Sequence, residues 1–413
     1  MRILLLEIRR ILCSRRNIIL LLAGLVLSVV MVIVPIGYEY ASYMDSDGNI
    51  VSVNGRDAIE YRNSLYEPIE GDVTPEKMVY ALTQYQEAAR EAGGMDPLID
   101  DDFPRKIYLE KISPVWPLLS TFNSFYDETG SGRTTPMKNI SPETGSDFYK
   151  LAEEYVTNLA EREYGSPDIV ETVTEMYRQI DTPFQLYGCY SSGALDYIIF
   201  NILILFLICV AISAPVFSEN YENGSDYILR CTRYGRRHCA GFRLLSLVLI
   251  LVIYYLVCMG IQIGIMNQAF GADSLKTSVQ MVWQIIAPIS LNIGELQITT
   301  VFGGLLSLLS GICFALFISA RVRSAMVSML ISLLMAILPT LLYFAGASWL
   351  AFLWPSSGIG LNNSFMYQIQ DIGFLTIGDR GIWVPWVIIT AAAVELVVFA
   401  VLSIRTYCKH QVV

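Results

Sequence analysis

Long uncharged apolar runs constrain the fold of this chain more than any other feature of its sequence. An α-helix needs about 20 apolar residues to cross the hydrocarbon core of a bilayer. Runs of that length occupy 17–38, 197–218, 244–270, 296–320, 324–346 and 381–404, and the last is interrupted by Glu395. Only 16% of the residues are charged, against about 25% in an ordinary soluble domain. The sequence therefore predicts an all-α polytopic membrane protein with six transmembrane helices.

A seventh uncharged stretch, 277–294, is less apolar because it contains Gln280, Gln284, Asn292 and a central Pro288. If this stretch crossed the membrane, every later segment would invert. The basic residues beyond those segments would then lie outside, against the positive-inside bias. We expect this stretch to form a helix that lies in the outer interface or dips into it.

The N-terminal segment 1–16 predicts a short amphipathic helix on the inner leaflet, because Leu4, Ile8, Ile11 and Leu12 fall on one helical face. The apolar stretch that follows is 22 residues long, which exceeds the apolar core of a signal peptide, about 7–15 residues. No clear small-residue cleavage site follows it. We therefore expect a retained first span over 17–39.

The distribution of charge predicts the orientation. With the N-terminus inside, the cytoplasmic segments contain 14 basic and 4 acidic residues, and the outer segments contain 14 basic and 33 acidic residues. This asymmetry follows the positive-inside rule and places both termini in the cytoplasm. The formal net charge of −10 argues against nucleic acid as a partner, since phosphate backbones require clustered Lys and Arg. The lipid bilayer is the expected surrounding.

Between the first and second spans, residues 40–195 carry 27 acidic and 12 basic residues and are numerous enough to bury a core of their own. The turn signals after Asp45 indicate a hairpin rather than a calcium loop, because the glycine comes too early for that motif. Thr74-Pro75 and Ser166-Pro167 are typical of helix starts. We expect a mostly α extracellular domain with a minor β element, followed by a five-span bundle over 196–413. The acidic charge either attracts a cationic ligand or keeps the domain soluble.

Sequence motifs for catalysis are absent. The two histidines, His238 and His410, are too few for a histidine-based metal centre, and the eight cysteines match no standard zinc spacing. Only Cys189 is expected on the outer side, so no disulfide is expected there. The chain lacks a Gly-Lys dipeptide and therefore a P-loop. We expect no enzymatic activity and no cofactor or metal in this chain.

The predicted cytoplasmic loop 219–243 has an ordered series of features. Glu219 and Glu222 lie within one turn of the second span, and Gly224 allows a sharp change of direction. Ser225 and Asp226 are favourable N-caps for a short helix over 227–232. A basic cluster follows at the start of the third span: Arg236, Arg237 and Arg243. A simple basic loop would explain the charge but not this order.

This order resembles the cytoplasmic segment of type-2 ABC exporter permeases. In that family, an acidic residue and a glycine after the second span lead into a short helix, a basic cluster and the third span. Leu229 also matches a position of the short helix. The segment 7–16 resembles the family's amphipathic elbow helix, and the large domain after the first span resembles the subgroup with an enlarged first external loop. The uncharged stretch 347–370 is a candidate for the family's re-entrant external helices.

The resemblance implies the permease subunit of an ATP-driven exporter in the bacterial plasma membrane. Such a subunit pairs with a second copy or a paralogue and docks ATP-binding cassette subunits, which bind ATP and Mg²⁺. For such an exporter we expect a peptide or amphipathic compound as cargo, and the acidic domain suggests a cationic one such as an antimicrobial peptide; a sugar or lipid is the alternative. The implied coupling surface comprises Glu219, Glu222, Gly224, Arg230, Arg233, Arg236 and Arg237.

Two further features within the spans are functional candidates. A carboxylate at the depth of Glu395 usually faces the bundle interior or an aqueous cavity, so this residue either lines a substrate path, pairs across a subunit interface or has a structural hydrogen bond. Gly260 and Gly264 form a Gly-x-x-x-Gly spacing that permits close helix packing, although this spacing also occurs by chance in apolar sequence.

One alternative from another functional class remains. A membrane sensor or signalling subunit would use the acidic domain to bind a ligand without transport. An intramembrane enzyme is disfavoured because Glu395 is the only charged residue within the six runs.

Overall fold

The computed structural model describes residues 2–126, 137–232, 235–283, 285–377 and 380–409, with the backbone alone for Arg2, Ile3, Arg230 and Ile377. The described chain is mostly helical and contains six helices that are long and apolar enough to cross a membrane. Spans 1 to 6 are Arg15–Tyr38, Ser192–Ser213, Arg237–Phe270, Ile293–Arg321, Ala325–Phe344 and Val384–Lys409. The protein is a multi-pass membrane protein, which confirms the predicted count of six spans.

Two ends of the bundle are defined by contacts between distant residues. At one end, Glu7 of the N-terminal helix Arg2–Leu12 contacts Arg243 of span 3, and Tyr407 of span 6 contacts Asp226. We call this the basic end. At the opposite end, Asn63 of the segment between spans 1 and 2 donates a hydrogen bond to the carbonyl of Phe270, the last residue of span 3. We call this the domain end.

Buried polar side chains connect the first three spans. The Ser28 hydroxyl donates to Asn201 Oδ1 at 3.1 Å, and Asn201 Nδ2 donates to Gln262 Oε1 at 2.8 Å. All three residues are buried. Hydrogen bonds between polar side chains in apolar surroundings are worth roughly 0.6–2 kcal/mol each, so they fix the relative rotation of these helices.

Glycines allow span 4 to approach its neighbours closely. A Cβ added at Gly304 would lie 2.9 Å from the Tyr255 hydroxyl of span 3, and one at Gly311 would lie 2.5 Å from the Phe206 ring of span 2. At both positions, an aromatic side chain occupies the space that any larger residue would need. These glycines therefore place span 4 at the centre of the bundle.

The chain between spans 1 and 2 forms an inserted domain, residues 40–190, in its described part. Antiparallel strands Tyr40–Met44 and Ile50–Asn54 form the predicted hairpin, whose turn is closed by hydrogen bonds from the amides of Asp47 and Asn49 to the Asp45 carboxylate. The main helices are Arg56–Tyr66, Pro75–Glu91, Trp116–Asn123, Phe148–Tyr164 and Pro167–Arg178. The Thr74 hydroxyl caps the second of these helices, where the sequence predicts a start. A short sheet pairs Gly71–Asp72 with Gln185–Leu186.

The inserted domain is fixed to the bundle where the chain leaves and re-enters it. Glu39, which follows span 1, forms an ion pair with Arg62 of the domain. The same carboxylate accepts a hydrogen bond from Ser191, the N-cap of span 2, at 2.5 Å. One buried acidic residue therefore connects both chain crossings to the domain.

The stretch 277–294 neither crosses the membrane nor forms the expected interfacial helix. Its two ends pair with each other, because the amide of Val279 donates to Leu291 and that of Ile293 donates to Thr277. Before span 4 begins at Ile293, the described residues of the stretch form one helical turn, Val279–Val282. It instead packs under the inserted domain, where Tyr177 donates to the carbonyl of Ile285 at 2.9 Å. The side-chain nitrogen of Gln280 donates to the carbonyls of Ala287 and Ile289, both within the same stretch, at 2.9 Å.

After span 5, the chain folds back against the bundle before it reaches span 6. Short helices Ser348–Phe352 and Phe365–Ile369 flank a non-helical turn, and a hairpin of Phe374–Ile377 and Arg380–Trp383 follows. Trp354 donates to the carbonyl of Met335, near the middle of span 5, at 3.2 Å. Ser356 is buried against Gly311 of span 4 and has a positive φ of 76°. Irregular backbone at this depth is tolerated because protein surrounds it.

Candidate functional site

The loop after span 2 forms a compact, hydrogen-bonded structure at the basic end. The short helix Ser218–Glu222 ends before Gly224, whose φ of 72° lies in the left-handed region that favours glycine. A second short helix, Ser225–Arg230, begins directly after it. The Asn223 side chain accepts a hydrogen bond from the Ser225 amide at 3.0 Å, which fixes the angle between the helices. We call Ser225–Arg230 the loop helix.

Two contacts attach the first part of this loop to spans 4 and 5. The amides of Phe217 and Ser218 donate to the hydroxyl of Ser319 in span 4 at 3.0 and 3.2 Å. Glu222 Oε2 accepts a hydrogen bond from the amide of Ala325, the first residue of span 5, at 2.7 Å. A carboxylate at a helix N-terminus satisfies a free amide and interacts favourably with the helix dipole. Glu222 is therefore an N-terminal cap of span 5.

A buried pair attaches the loop helix to span 6. Asp226 is 2% exposed, and its carboxylate accepts a hydrogen bond at 2.9 Å from the hydroxyl of Tyr407, which is fully buried. The Phe217 ring packs against the Tyr407 ring with centroids 5.0 Å apart. The loop helix consequently has side-chain contacts with the end of span 6, and its neighbour Ser218–Glu222 has contacts with spans 4 and 5. Sequence reasoning considered Asp226 as an N-cap but missed this pair.

The opposite face of the loop helix exposes apolar side chains. The side chain of Tyr227 is 50% exposed and that of Ile228 is 75% exposed. Exposed apolar side chains within the spans face lipid, but a loop beyond the end of the bundle has no such cover. An apolar surface on a short, fixed helix is typical of a contact with another protein. The sequence signal for these residues is the run of large apolar side chains over 227–229 in a loop that is mostly polar.

The N-terminal helix and this loop line a cavity that opens to the surface. Arg243 Nε donates to Glu7 Oε1 at 3.2 Å, and Arg10 forms a second ion pair with Glu7 at 3.2 Å. The cavity has a volume of about 530 Å³ and is also lined by Glu219 and Ile228. Burial and repulsion from Arg243 lower the pKa of Arg10, and attraction to Glu7 opposes that shift. The cavity thus separates two helices that are each attached to the bundle by buried charges.

The structure places the predicted coupling residues in different settings. Glu219 is exposed on the cavity rim, Glu222 caps span 5, and Gly224 forms the turn. Arg236 and Arg237 are exposed at the start of span 3. The side chain of Arg230 and the whole of Arg233 lie outside the described residues. The described members therefore share one end of the bundle without forming one continuous patch.

Glu395 and the glycine pair occupy separate parts of the bundle. The Ser310 hydroxyl of span 4 donates to Glu395 Oε2 at 2.9 Å, which gives the carboxylate a structural partner between spans 4 and 6. Gly260 and Gly264 are exposed, and a Cβ added at either would meet no described atom within 4 Å. The close packing permitted by this pair is therefore not used within the described chain. A packing role for these glycines stays a prediction.

Metal-ligating side chains do not cluster in the described part of the chain, where no group of three His, Cys, Asp or Glu residues is arranged to hold an ion. Comparison of the sequence and structure with protein-family models, with curated proteins and with solved structures gives no match.

Proposed function

We propose that this protein is the permease subunit of an ATP-driven exporter of the type-2 ABC class. The supporting observation is the loop helix, which exposes Tyr227 and Ile228 on one face and is attached to span 6 through Asp226 on the other. In this proposal, the basic end is cytoplasmic, in agreement with the positive-inside rule. The inserted domain is then extracellular, and the N-terminal helix is the elbow helix on the inner leaflet of a bacterial plasma membrane.

The contacts of the loop support a role in transmitting motion. A helix can act as a lever only when its displacement moves the elements to which it is attached. The loop is continuous with spans 2 and 3, contacts span 4 through Ser319, caps span 5 through Glu222 and contacts span 6 through Tyr407. Movement of the loop helix by a partner would therefore act on most of the bundle. Nucleotide-driven closure of an ATP-binding cassette subunit is the partner motion that we propose.

The chemistry of the exposed face favours a protein partner. The apolar side chains of Tyr227 and Ile228 would be buried in a groove of the ATPase, and the exposed Arg236 nearby would contribute to the polar rim. ATP and Mg²⁺ would bind in that partner. The cargo that we propose is a peptide or another amphipathic compound, and the permease would act as a dimer with a second copy or a paralogue.

Co-purification tests this proposal directly. The full chain, extracted from its native cells in mild detergent, should carry a stoichiometric partner with a P-loop. Ile228→Glu should abolish that association, because it places a charge in the proposed apolar contact. Cys13→Glu is the matched control. Cys13 is exposed at the same end, and its substitution adds the same charge outside the loop. The control should retain the partner.

Two results would contradict the proposal. The first is a chain that carries no ATPase, or that carries a signalling kinase instead, which would favour the ligand-sensor alternative. The second is an ATPase retained equally by the Ile228→Glu variant and the Cys13→Glu control. That result would exclude the loop helix as the docking element even if the protein is a transporter.

A further inference from the structure

A groove of about 1060 Å³ opens on the surface of the bundle at the basic end, between the first turns of span 3 and the last turns of span 6. Its floor is apolar and is formed by Phe242 and Leu245 of span 3 and by Val401 and Ile404 of span 6. Gly241 widens the groove, because a Cβ added there would meet no described atom within 4 Å. This volume lies at the upper limit of small-molecule pockets, about 300–1,000 Å³.

The rim of the groove is strongly basic. Arg237, Arg405 and Lys409 line it and are exposed, and none of the described residues that line it is acidic. The acidic residues of this end are directed elsewhere. Glu7 pairs with Arg243 and Arg10, Glu222 caps span 5, Asp226 accepts a hydrogen bond from Tyr407, and Glu219 lines the separate cavity beside the N-terminal helix. The positive charge of the rim is therefore not neutralised by the acids for which the structure defines contacts.

We propose that this groove binds one anionic phospholipid. The headgroup phosphate would be held by Arg237, Arg405 and Lys409, and the upper parts of the acyl chains would lie along Phe242, Leu245, Val401 and Ile404. Two features favour a lipid over a free phosphate ion. The floor is apolar and would stay unfilled around a free ion, and the groove lies where spans of a membrane protein meet the headgroup layer. Basic pockets between transmembrane helices are suited to anionic headgroups.

The position of the groove gives the bound lipid a consequence for the loop helix. Cys408 and Lys409 line the groove, whereas the adjacent Tyr407 lies on the inner face of span 6 and contacts Asp226. Arg237 begins span 3, which follows the loop directly. One lipid would thus bridge span 3, which follows the loop, and span 6, which contacts the loop helix, and would hold the ends of these two spans at a fixed separation. The binding site itself does not depend on the exporter proposal, because it requires only these two spans and a membrane.

Lipid retention measured by native mass spectrometry tests the site. The full chain would be reconstituted in vesicles of phosphatidylglycerol and phosphatidylcholine with identical acyl chains and then extracted in mild detergent. We expect one retained phosphatidylglycerol, preferred over phosphatidylcholine by about 10- to 100-fold, given three basic side chains near the surface. The variant carrying Arg237→Gln, Arg405→Gln and Lys409→Gln should lose this preference. A control carrying Arg9→Gln, Arg15→Gln and Arg323→Gln removes the same charge at the same end and should keep it.

A second variant distinguishes loss of lipid binding from misfolding of the triple variant. Gly241→Leu fills the groove without changing its charge and suits a helix, so it should displace the lipid while the protein elutes normally. Soluble glycerophosphate should not compete, which separates a lipid site from a free phosphate site. Three outcomes would overturn the proposal: equal retention of both lipids, equal losses in the groove variant and its control, or unchanged retention after Gly241→Leu.

Discussion

The hydroxyl of Tyr407 donates a hydrogen bond to the Asp226 carboxylate at 2.9 Å, although 181 residues separate the two in sequence. Both side chains are buried at the basic end of the bundle. This hydrogen bond joins the loop helix to the last span, so the position of a short surface helix depends on a residue near the C-terminus.

Tyr407→Phe should loosen the loop helix without unfolding the bundle. A hydrogen bond to a buried charged group contributes about 1.5–3 kcal/mol, and its loss leaves Asp226 less well satisfied. We expect faster backbone hydrogen exchange over 225–230 and little change in the middle of the spans. Tyr38→Phe is the matched control, since Tyr38 is 77% exposed at the domain end. Unchanged exchange in the loop helix of Tyr407→Phe would contradict this role.

Substitutions of Glu222 should separate capping from charge. Glu222→Ala removes the acceptor for the Ala325 amide and should destabilise the first turn of span 5 by about 0.5–1 kcal/mol. Glu222→Gln retains a side-chain oxygen and should preserve most of this cap. Hydrogen exchange over 325–328 measures the difference, with Glu219→Ala as the control. If Glu222→Gln exchanges as fast as Glu222→Ala, the negative charge rather than the hydrogen bond stabilises this end.

The glycines of the bundle should divide into two groups on substitution. Gly311→Ala forces a Cβ to within 2.5 Å of the Phe206 ring and should destabilise the protein by about 1–3 kcal/mol, as overpacked cores do. Gly260→Ala meets no described atom and should leave the thermal stability of the monomer unchanged. Thermal unfolding in detergent measures both. A dimer that dissociates in Gly260→Ala, while its monomer stays stable, would place this glycine at an interface between two chains.

Asp371 should make stability depend on pH. Burial raises the pKa of this carboxyl above its ordinary value, and the amide of Ile372 partly opposes the shift. Because the folded-state pKa exceeds the unfolded one, the stabilising contribution is fully present below the ordinary pKa of about 4 and is lost as the pH rises through the folded-state value. Asp371→Asn should therefore raise the melting temperature at pH 7 by about 1–3 °C.

The control for this pH effect is Asp147→Asn, because Asp147 is exposed in the inserted domain and loses the same charge. Melting temperatures of both variants would be measured between pH 4 and pH 7.5. The difference between Asp371→Asn and the wild type should shrink as the pH falls toward 4, because a raised pKa means that a growing fraction of the native carboxyl is protonated. If the melting temperatures of Asp371→Asn and the wild type differ by the same amount at every pH, the substitution acts through side-chain packing and not through the charge of Asp371.

The spans could be predicted from sequence because the length of an uncharged apolar run directly reflects the thickness of the bilayer. Span 3 nevertheless begins at Arg237, ahead of the uncharged run at 244, because the helix continues beyond its apolar part. The conformation of the stretch 277–294 could not be predicted from its composition. It depends on the pairing of Val279 with Leu291 and on Tyr177 of a separate domain.

The candidate site shows the same limit. Sequence reasoning placed the turn at Gly224 correctly, since a positive φ is local chemistry. It grouped Glu219 and Glu222 as equivalent acidic residues, but only the contact with Ala325 distinguishes the second as a cap. Ile228 is exposed because the hydrogen bond between Asp226 and Tyr407 turns another face of the loop helix toward span 6. The sequence of the loop alone does not contain this contact.

The attachment of the inserted domain at Glu39 has a mechanical consequence. Glu39 holds Arg62 of the domain and Ser191 at the start of span 2, while the backbone of Gln185 pairs with Ser278 between spans 3 and 4. The domain is therefore held against the bundle by side-chain contacts and is not connected to it by two flexible linkers alone. A force on the domain would be transmitted to spans 1 to 4. Deleting the domain would therefore destabilise the packing of these spans as well as remove residues.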